Sequence, residues 1–226
     1  RADDPFVKAP IPPIPPLTKN LAVIDEEPVN AVSVEVQWQG PSVRKDENST
    51  FAADVYSDVL NNQQSRFWRK LVDSGLWQDI VVNYYTLNNV GPITISGQTT
   101  PEKLRQALAA MFTELDESVK PGYFSQEELD ATKANRAVTS AFGEEKSSDF
   151  SHTIGFWWAV SGLDYYMKYV DEMAKRTPQD LRDYSNKYII GKPHVVGVLM
   201  SHDDRVRIKL TEDELARIGA APGIAP

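Results

Sequence analysis

The 226-residue sequence contains no cysteine and only three histidines. The absence of cysteine excludes disulfide bonds, cysteine-ligated zinc and a thiol nucleophile. Basic residues are in the minority, with 24 Lys and Arg against 32 Asp and Glu and a formal net charge of −8. Nucleic acid and anionic membranes attract basic surfaces, so neither is expected as the main partner. No apolar run reaches the ~18 residues of a membrane-spanning helix, so no membrane span is expected.

Familiar catalytic motifs are missing as well. The sequence has neither H-E-x-x-H nor H-x-x-E-H, no G-x-S-x-G elbow and no glycine-rich phosphate-binding loop. His152, His194 and His202 are far apart, and the nearest approach to a cluster is His202-Asp203-Asp204, whose adjacent side chains would diverge in an extended segment. No catalytic, metal-binding or cofactor-binding residue is therefore assigned, and the chain alone is not expected to be an enzyme.

The two ends of the sequence have the composition of connectors. Six of the 15 prolines lie in the first twenty residues, which favours an extended polyproline II backbone. Residues 1–19 are interpreted as a Pro-rich linker between domains, with a disordered tail as the alternative. Residues 20–210 form the predicted domain, and residues 211–226 a short helix followed by a C-terminal connector.

Alternating apolar residues predict the strands. Residues 32–38 alternate strictly between apolar and polar, as a half-buried strand does. The runs 79–87 and 92–98 flank the turn residues 88–91, which indicates a hairpin. The apolar run 195–200 indicates a central strand, either buried on both faces or lying at the centre of a sheet.

Helical periodicity and capping signals predict the remaining elements. Two capping boxes are expected, Ser125 with Glu128 and Thr211 with Glu214. Predicted helices cover 50–60, 64–73, a segment from Pro101 with Thr100 as N-cap, 125–142, 149–175 with a break near Gly162, 178–190, and a short stretch after Thr211. This order predicts an α+β fold: an antiparallel-rich β-sheet with helices packed mainly on one face.

Four stretches, in this order, resemble the insulinase/pitrilysin family of zinc peptidases, which includes the mitochondrial processing peptidase. Residues 33–41 (SVEVQWQGP) resemble the family's first strand and its Gly-Pro end. Residues 52–76 (AADVYSDVLNNQQSRFWRKLVDSGL) resemble its long helix, polar turn and following helix. Residues 124–137 (FSQEELDATKANRA) and 176–188 (RTPQDLRDYSNKY) resemble two later helices. The resemblance spans about residues 20–201 and is to the domain that lacks the zinc motif.

In that family, similar α+β domains close around a chamber, and one of them carries H-x-x-E-H and a downstream Glu that bind zinc. The resemblance implies a processing-peptidase-like metallohydrolase fold, a zinc-bearing partner domain or subunit, and a peptide substrate. It implies that this chain is a non-catalytic domain of a larger zinc metallopeptidase, with the zinc held by the partner. The alternative is an inactive scaffold or assembly module of the same fold. Bacterial relatives are often exported, so a periplasmic or otherwise exported location is expected.

In many members of the family, the inactive domain supplies an Arg and a Tyr, seven residues apart, that contact the substrate and the tetrahedral intermediate. The sequence departs from the family at these two positions. Aligning Gly75-Leu76 with the family's Gly-Leu places Val72 at the Arg position and Gln78 at the Tyr position. A shift of one residue offers Asp79 instead of Gln78. Whether either residue replaces the Tyr functionally is left open.

Two arginines precede this region on the same predicted helix. Arg66 and Arg69 lie one or two turns before Val72, and no family motif gives them a catalytic role. Together with Gln78 they are candidate substrate-facing or interface residues. The scaffold alternative draws on the missing Arg–Tyr pair and on the aromatic-rich segment 156–169, which core or interface packing explains better than a ligand cage.

Overall fold

A computed structural model describes residues 5–219. Within it, five strands form one sheet in the order β1-β5-β2-β4-β3. The strands are β1 (Leu21–Glu26), β2 (Val32–Gln39), β3 (Asp79–Tyr84), β4 (Pro92–Thr99) and β5 (His194–Met200). β2 runs antiparallel to β4 and β5, and β3 antiparallel to β4, whereas β1 is parallel to β5. The expected antiparallel-rich sheet is confirmed, with one parallel pair at its edge.

The described residues also form ten α-helices and one π-helical turn. They are α1 (Pro5–Lys8), α2 (Glu47–Asn61), α3 (Arg66–Trp68) with the π-helical turn Arg69–Asp73, α4 (Leu104–Ser118), α5 (Gln126–Gly143), α6 (Ser147–Val160), α7 (Leu163–Ala174), α8 (Pro178–Tyr188), α9 (His202–Ile208) and α10 (Glu212–Arg217). No helix among residues 5–219 combines the length and the apolar character needed to cross a membrane.

The helices cover one face of the sheet, as the strand alternation requires. On β2, Val34 and Val36 are buried, while Glu35 and Gln37 between and beyond them are exposed. The buried face packs against a core rich in large aromatic side chains, each worth about 2–3 kcal/mol when fully buried. Its largest fully buried members include Trp38, Phe51, Tyr56, Trp77 and Tyr184. The α+β fold with helices mainly on one face is therefore confirmed.

The two predicted capping boxes have different outcomes. Ser125 Oγ accepts from the Glu128 backbone N–H at 3.1 Å, and Glu128 Oε2 accepts from the Ser125 backbone N–H at 3.1 Å, so the first box is complete. Thr211 also caps its helix, by accepting from the Glu214 backbone N–H. The Glu214 carboxylate, however, pairs with Arg105 at 2.5 Å on α4. The hydrogen bond expected from the Thr211 backbone N–H to the Glu214 carboxylate is therefore replaced by an ion pair between Glu214 and Arg105.

Several predicted boundaries were wrong. The helix expected from Pro101 begins at Leu104, because residues 101–103 form a turn in which the Lys103 backbone N–H bonds to the Thr100 carbonyl. Strand β3 ends at Tyr84 rather than 87, and the Leu87 carbonyl accepts from the Val43 backbone N–H outside the sheet. The break of the 149–175 helix at Gly162 is confirmed, with φ of 93°, a conformation that glycine adopts readily.

Of the two alternatives for the C-terminal strand, the second is confirmed, because β5 lies in the interior of the sheet. Burial on both faces is wrong, since its residues alternate between buried and half-buried. The segment after it was expected to be extended, yet His202–Ile208 is helical. Ser201 caps that helix by accepting from the Asp204 backbone N–H at 3.2 Å. The last helix, α10, packs back on β1, where Ile24 donates its backbone N–H to Glu212.

The N-terminal strap, residues 9–18, is neither helix nor strand, as its prolines predicted. Ahead of it, Pro5–Lys8 forms one helical turn rather than extended chain; proline is well suited to the first position of a helix. Residues 1–4 of the predicted linker and residues 220–226 of the predicted C-terminal connector lie outside the described residues.

Candidate functional site

The face of the sheet opposite the helices is not covered by them, and its side chains are arranged in regular rows. Strand register aligns them in three rows that run across the strands from β1 to β3. The first row is Leu21, Val195, Gln37, Thr94 and Asn83; the middle row is Val23, Gly197, Glu35, Ser96 and Val81; the third row is Asp25, Leu199, Ser33, Gln98 and Asp79. A groove of about 460 Å³ lies over the middle and third rows. These fifteen residues are called the open face below.

The open face combines negative charge with exposed aliphatic side chains. It carries three carboxylates, Asp25, Glu35 and Asp79, and no Lys or Arg. Val23 is 55% exposed and Val81 is 48% exposed at the two ends of the middle row. A surface of this kind can pack against apolar side chains and attract cationic groups.

The π-helical turn and the buried Trp77 position the residues at the rim of this groove. The Trp77 backbone N–H donates to the Leu71 carbonyl at 2.9 Å, and its indole N–H donates to the Ala107 carbonyl at 3.1 Å. The next residue, Gln78, is exposed and lies immediately before β3. π-helical turns inside helices occur often at functional sites. The anchor fixes where the chain enters the open face.

Asp79, rather than Gln78, lines the groove. The Asp79 carboxylate accepts from the Gln98 backbone N–H at 2.8 Å, while the Gln78 backbone N–H donates to the Gln98 carbonyl at 2.8 Å. Of the two residues that the sequence offered at the family's Tyr position, Asp79 therefore belongs to the open face and Gln78 lies beside it. Val72, at the family's Arg position, is half-buried against the core.

Like Gln78, the two candidate arginines do not line the groove. Arg66 lies on α3 with Nε 3.2 Å from a Glu114 carboxylate oxygen, and its guanidinium sits 5.0 Å from the centroid of the Tyr123 ring. Arg69 is exposed on the π-helical turn. Neither arginine lines the groove. Arg66 is thus held by helix packing, and the roles expected for these three residues stay predictions.

The histidines are separated in space as in sequence. His194 is buried beside Trp38 and Phe112, and burial lowers the pKa of its imidazole. His202 is exposed and its Nδ1 lies 2.5 Å from a Glu26 carboxylate oxygen, while His152 is exposed on α6. Among residues 5–219, no three His, Asp or Glu side chains are grouped so that they could hold a metal ion. The donor set of these residues therefore does not fit a zinc site.

A polar stripe on α2, which sequence reasoning missed, holds the helical layer together. Asp54 Oδ2 accepts from the Tyr169 hydroxyl of α7 at 2.7 Å, and Asp58 accepts from the Arg136 guanidinium of α5 at 2.8 Å. Thr50 bonds to the Tyr165 hydroxyl. Positions 50, 54 and 58 are four residues apart and therefore share one side of α2, and this spacing is the signal that could have revealed the stripe.

Residues 3–136 match the family model described as the Peptidase M16 inactive domain. The fold is similar to a protease from Helicobacter pylori, at TM-score 0.70 and 19% identity over 82% of this chain and 45% of that chain. It is similar to a putative zinc protease from Bordetella pertussis Tohama I, at 0.63 and 18% over 76% and 95%. A third similar structure is a chain of complex III2 from Candida albicans, at 0.68 and 10% over 91% and 50%.

The chain thus spans less than half of the Helicobacter pylori protease chain. No curated protein sequence matches it significantly. The family match covers more than half of the 226 residues. The chain belongs to the Peptidase M16 inactive-domain family.

Proposed function

We propose that this chain is the non-catalytic domain of a larger zinc metallopeptidase. In this role it forms the chamber wall opposite a zinc-bearing partner domain or subunit and binds peptide substrate on its open face. The observation that carries the proposal is the open face itself: a groove of about 460 Å³ on the one side of the sheet that the helices leave uncovered.

The rim of the groove supports this assignment. The resemblance places the family's substrate-contacting Tyr at Gln78 or Asp79, and Asp79 lines the groove. The region expected to meet substrate and the open surface therefore coincide. The family's Arg is replaced by half-buried Val72, so the chain has no cation there for a tetrahedral intermediate. Zinc chemistry, with general-base activation of water, would belong to the partner.

The test is reconstitution. The chain would be co-expressed with the H-x-x-E-H-containing domain or subunit that accompanies it in its host, and chelator-sensitive cleavage of an unfolded fluorogenic peptide measured. We expect cleavage only when both parts are present. Ser96→Trp, which fills the groove, should lower kcat/KM at least tenfold, whereas Ser148→Trp on the exposed surface of α6 should not. Full activity of the partner alone, or no effect of Ser96→Trp, would overturn the proposal.

One observation favours a second candidate function, an inactive scaffold or assembly module. Helix α6 is rich in apolar residues, yet none of its residues is buried. Trp158 is 71% exposed, and on the adjacent α7 Met167 is 75% exposed. The likeness to a chain of complex III2 from Candida albicans is compatible with this role. A stable complex with a partner, lost on Trp158→Ser and without any zinc-dependent cleavage, would favour the scaffold.

A further inference from the structure

We propose that Glu35 makes the open face selective for extended peptide segments in which a Lys or Arg is flanked on both sides by aliphatic residues. The inference rests on the proposed function only in taking the open face as the peptide-binding surface. It adds to the proposed function the chemical class of the bound peptide and the residue that recognises the basic side chain.

The middle row sets the geometry. It runs Val23, Gly197, Glu35, Ser96, Val81 across the five strands. Neighbouring strands lie about 4.8 Å apart, so each valine is roughly 10 Å from Glu35 along the row. Gly197 and Ser96 have small side chains, so the Glu35 side chain projects above its two neighbours in the row. The row presents a carboxylate at its centre and exposed aliphatic side chains at both ends.

The Glu35 carboxylate has no partner in the part of the chain that the structure describes. Among residues 5–219 no hydrogen bond or ion pair involves its side chain, and the open face contains no Lys or Arg. Asp25 and Asp79, at the ends of the third row, add to the negative potential. A bound segment would bury Glu35, and a buried carboxylate needs a cationic partner to offset its desolvation. A wholly apolar or an acidic segment is therefore disfavoured.

The protein already holds a proline-rich segment of its own, the strap, at one end of this surface. Gln39, which follows the first row on β2, accepts from the Leu17 backbone N–H at 2.8 Å and donates to the Pro15 carbonyl at 2.9 Å. Ile14 and Leu17 of the strap lie with Val195 of the first row around a hollow of about 230 Å³. A segment that is neither helix nor strand, with aliphatic side chains, thus fits this end of the sheet, and no residue of the strap lines the groove over the middle and third rows.

The distances specify the segment. An extended segment of the polyproline II type advances about 3.1 Å per residue and has three residues per turn, so the roughly 10 Å between Glu35 and either valine corresponds to three residues whose side chains share one side of the segment. The aliphatic residues should therefore stand three positions from the basic residue on each side. Such a segment would fill the whole middle row.

Fluorescence anisotropy with the full chain and labelled nonapeptides tests the proposal. The reference peptide is Gly-Leu-Ser-Ser-Lys-Ser-Ser-Leu-Gly; one variant has norleucine for Lys, a second has Glu for Lys, and a third has Ser for both Leu. We expect the reference to bind at least tenfold more tightly than each variant and to weaken with added salt. Glu35→Gln should remove this preference for Lys. Glu145→Gln, the same change of charge at an exposed position beyond α5, should leave it intact.

A second variant tests the surface without changing its charge. A Cβ at Gly197 would meet only the Glu35 carbonyl oxygen, at 3.7 Å, so Gly197→Val fits the strand and fills the row beside Glu35. The corresponding change at Gly97 would place a Cβ 2.3 Å from the Asp79 carbonyl and is unsuitable. Gly197→Val should weaken the reference peptide at least fivefold, with the circular dichroism spectrum unchanged.

Three outcomes would overturn the proposal: equal binding of the Lys and norleucine peptides, no effect of Glu35→Gln, or the same loss with Glu145→Gln. A dimer of the chain that Gly197→Val dissociates would overturn it too, because the open face would then hold a second copy. Failure of the reconstituted peptidase, with Lys-selective binding retained, would refute the proposed function alone. Cleavage that does not depend on Glu35 would refute this inference alone.

Discussion

Replacing the half-buried Asp54 by Asn should abolish a large part of the pH dependence of folding stability. Burial and, to a smaller extent, the neighbouring charge of Asp58 raise the pKa of the Asp54 carboxyl, whereas the Tyr169 hydroxyl and the Arg136 guanidinium lower it, and together they bring this pKa to about 7. Tyr84, which is buried in the same region, stays neutral because burial raises its own pKa. Asp54 is thus an acid that binds its proton more tightly in the folded protein than in the unfolded chain.

The sign follows from the two pKa values. The ordinary Asp pKa is 3.8 and the folded value is about 7, so the Asp54 contribution to stability is complete below pH 4. It is lost as the pH rises through 7, because the folded state must then hold a charged carboxylate in a poorly hydrated place. Each pKa unit corresponds to about 1.4 kcal/mol. A shift of roughly three units gives about 4 kcal/mol, and residual solvent access at this half-buried group reduces it to about 2–4 kcal/mol.

Urea unfolding followed by tryptophan fluorescence at pH 5, 6, 7 and 8 measures this difference. Asp54→Asn keeps an oxygen that can accept from Tyr169. Because only about two of the three pKa units lie above pH 5, its unfolding free energy should fall about 1–2.5 kcal/mol less than that of the wild type between pH 5 and pH 8. Asp171→Asn, on the exposed surface of α7, is the matched control and should behave as the wild type. Parallel pH profiles for wild type and Asp54→Asn would refute the reasoning.

Three other predictions concern the core, the groove rim and zinc. Val36→Asp places an unpaired carboxylate at a fully buried position of β2, so the free energy of unfolding should fall by about 3–5 kcal/mol in urea titration; a loss under 1 kcal/mol would contradict the sheet register. Gln78→Ala and Val72→Ala should each leave kcat/KM of the reconstituted peptidase within about threefold, whereas a loss near a hundredfold would show that one of them stabilises the transition state. Isothermal calorimetry should detect no stoichiometric sub-micromolar zinc binding to the chain, since a catalytic site needs three grouped protein ligands; such binding would refute the non-catalytic assignment.

The sequence by itself determined the elements whose signals are local. The alternation of 32–38 defines β2, Ser125 with Glu128 starts α5, and Gly162 separates α6 from α7. Each of these rests on contacts within a few residues, such as a cap bond three positions away or one backbone conformation. The missing zinc motif and the replacement of the family's Arg by Val72 are equally visible in the sequence.

Only the tertiary structure decided how these elements meet. Alternation shows that one face of β2 is buried, but not that the other face is left uncovered or which residues stand beside Glu35 on it. Gly197 and Ser96 become its neighbours through strand order, and β5 is more than 150 residues away in the chain. The Glu214 carboxylate forms an ion pair with Arg105 of α4 instead of completing the predicted capping box. Asp54 accepts a hydrogen bond from Tyr169 of α7. Partners that are distant in sequence leave no periodic signal, so the neighbours of Glu35 on the open face and the Tyr169 partner of Asp54 could be found only once the chain was folded.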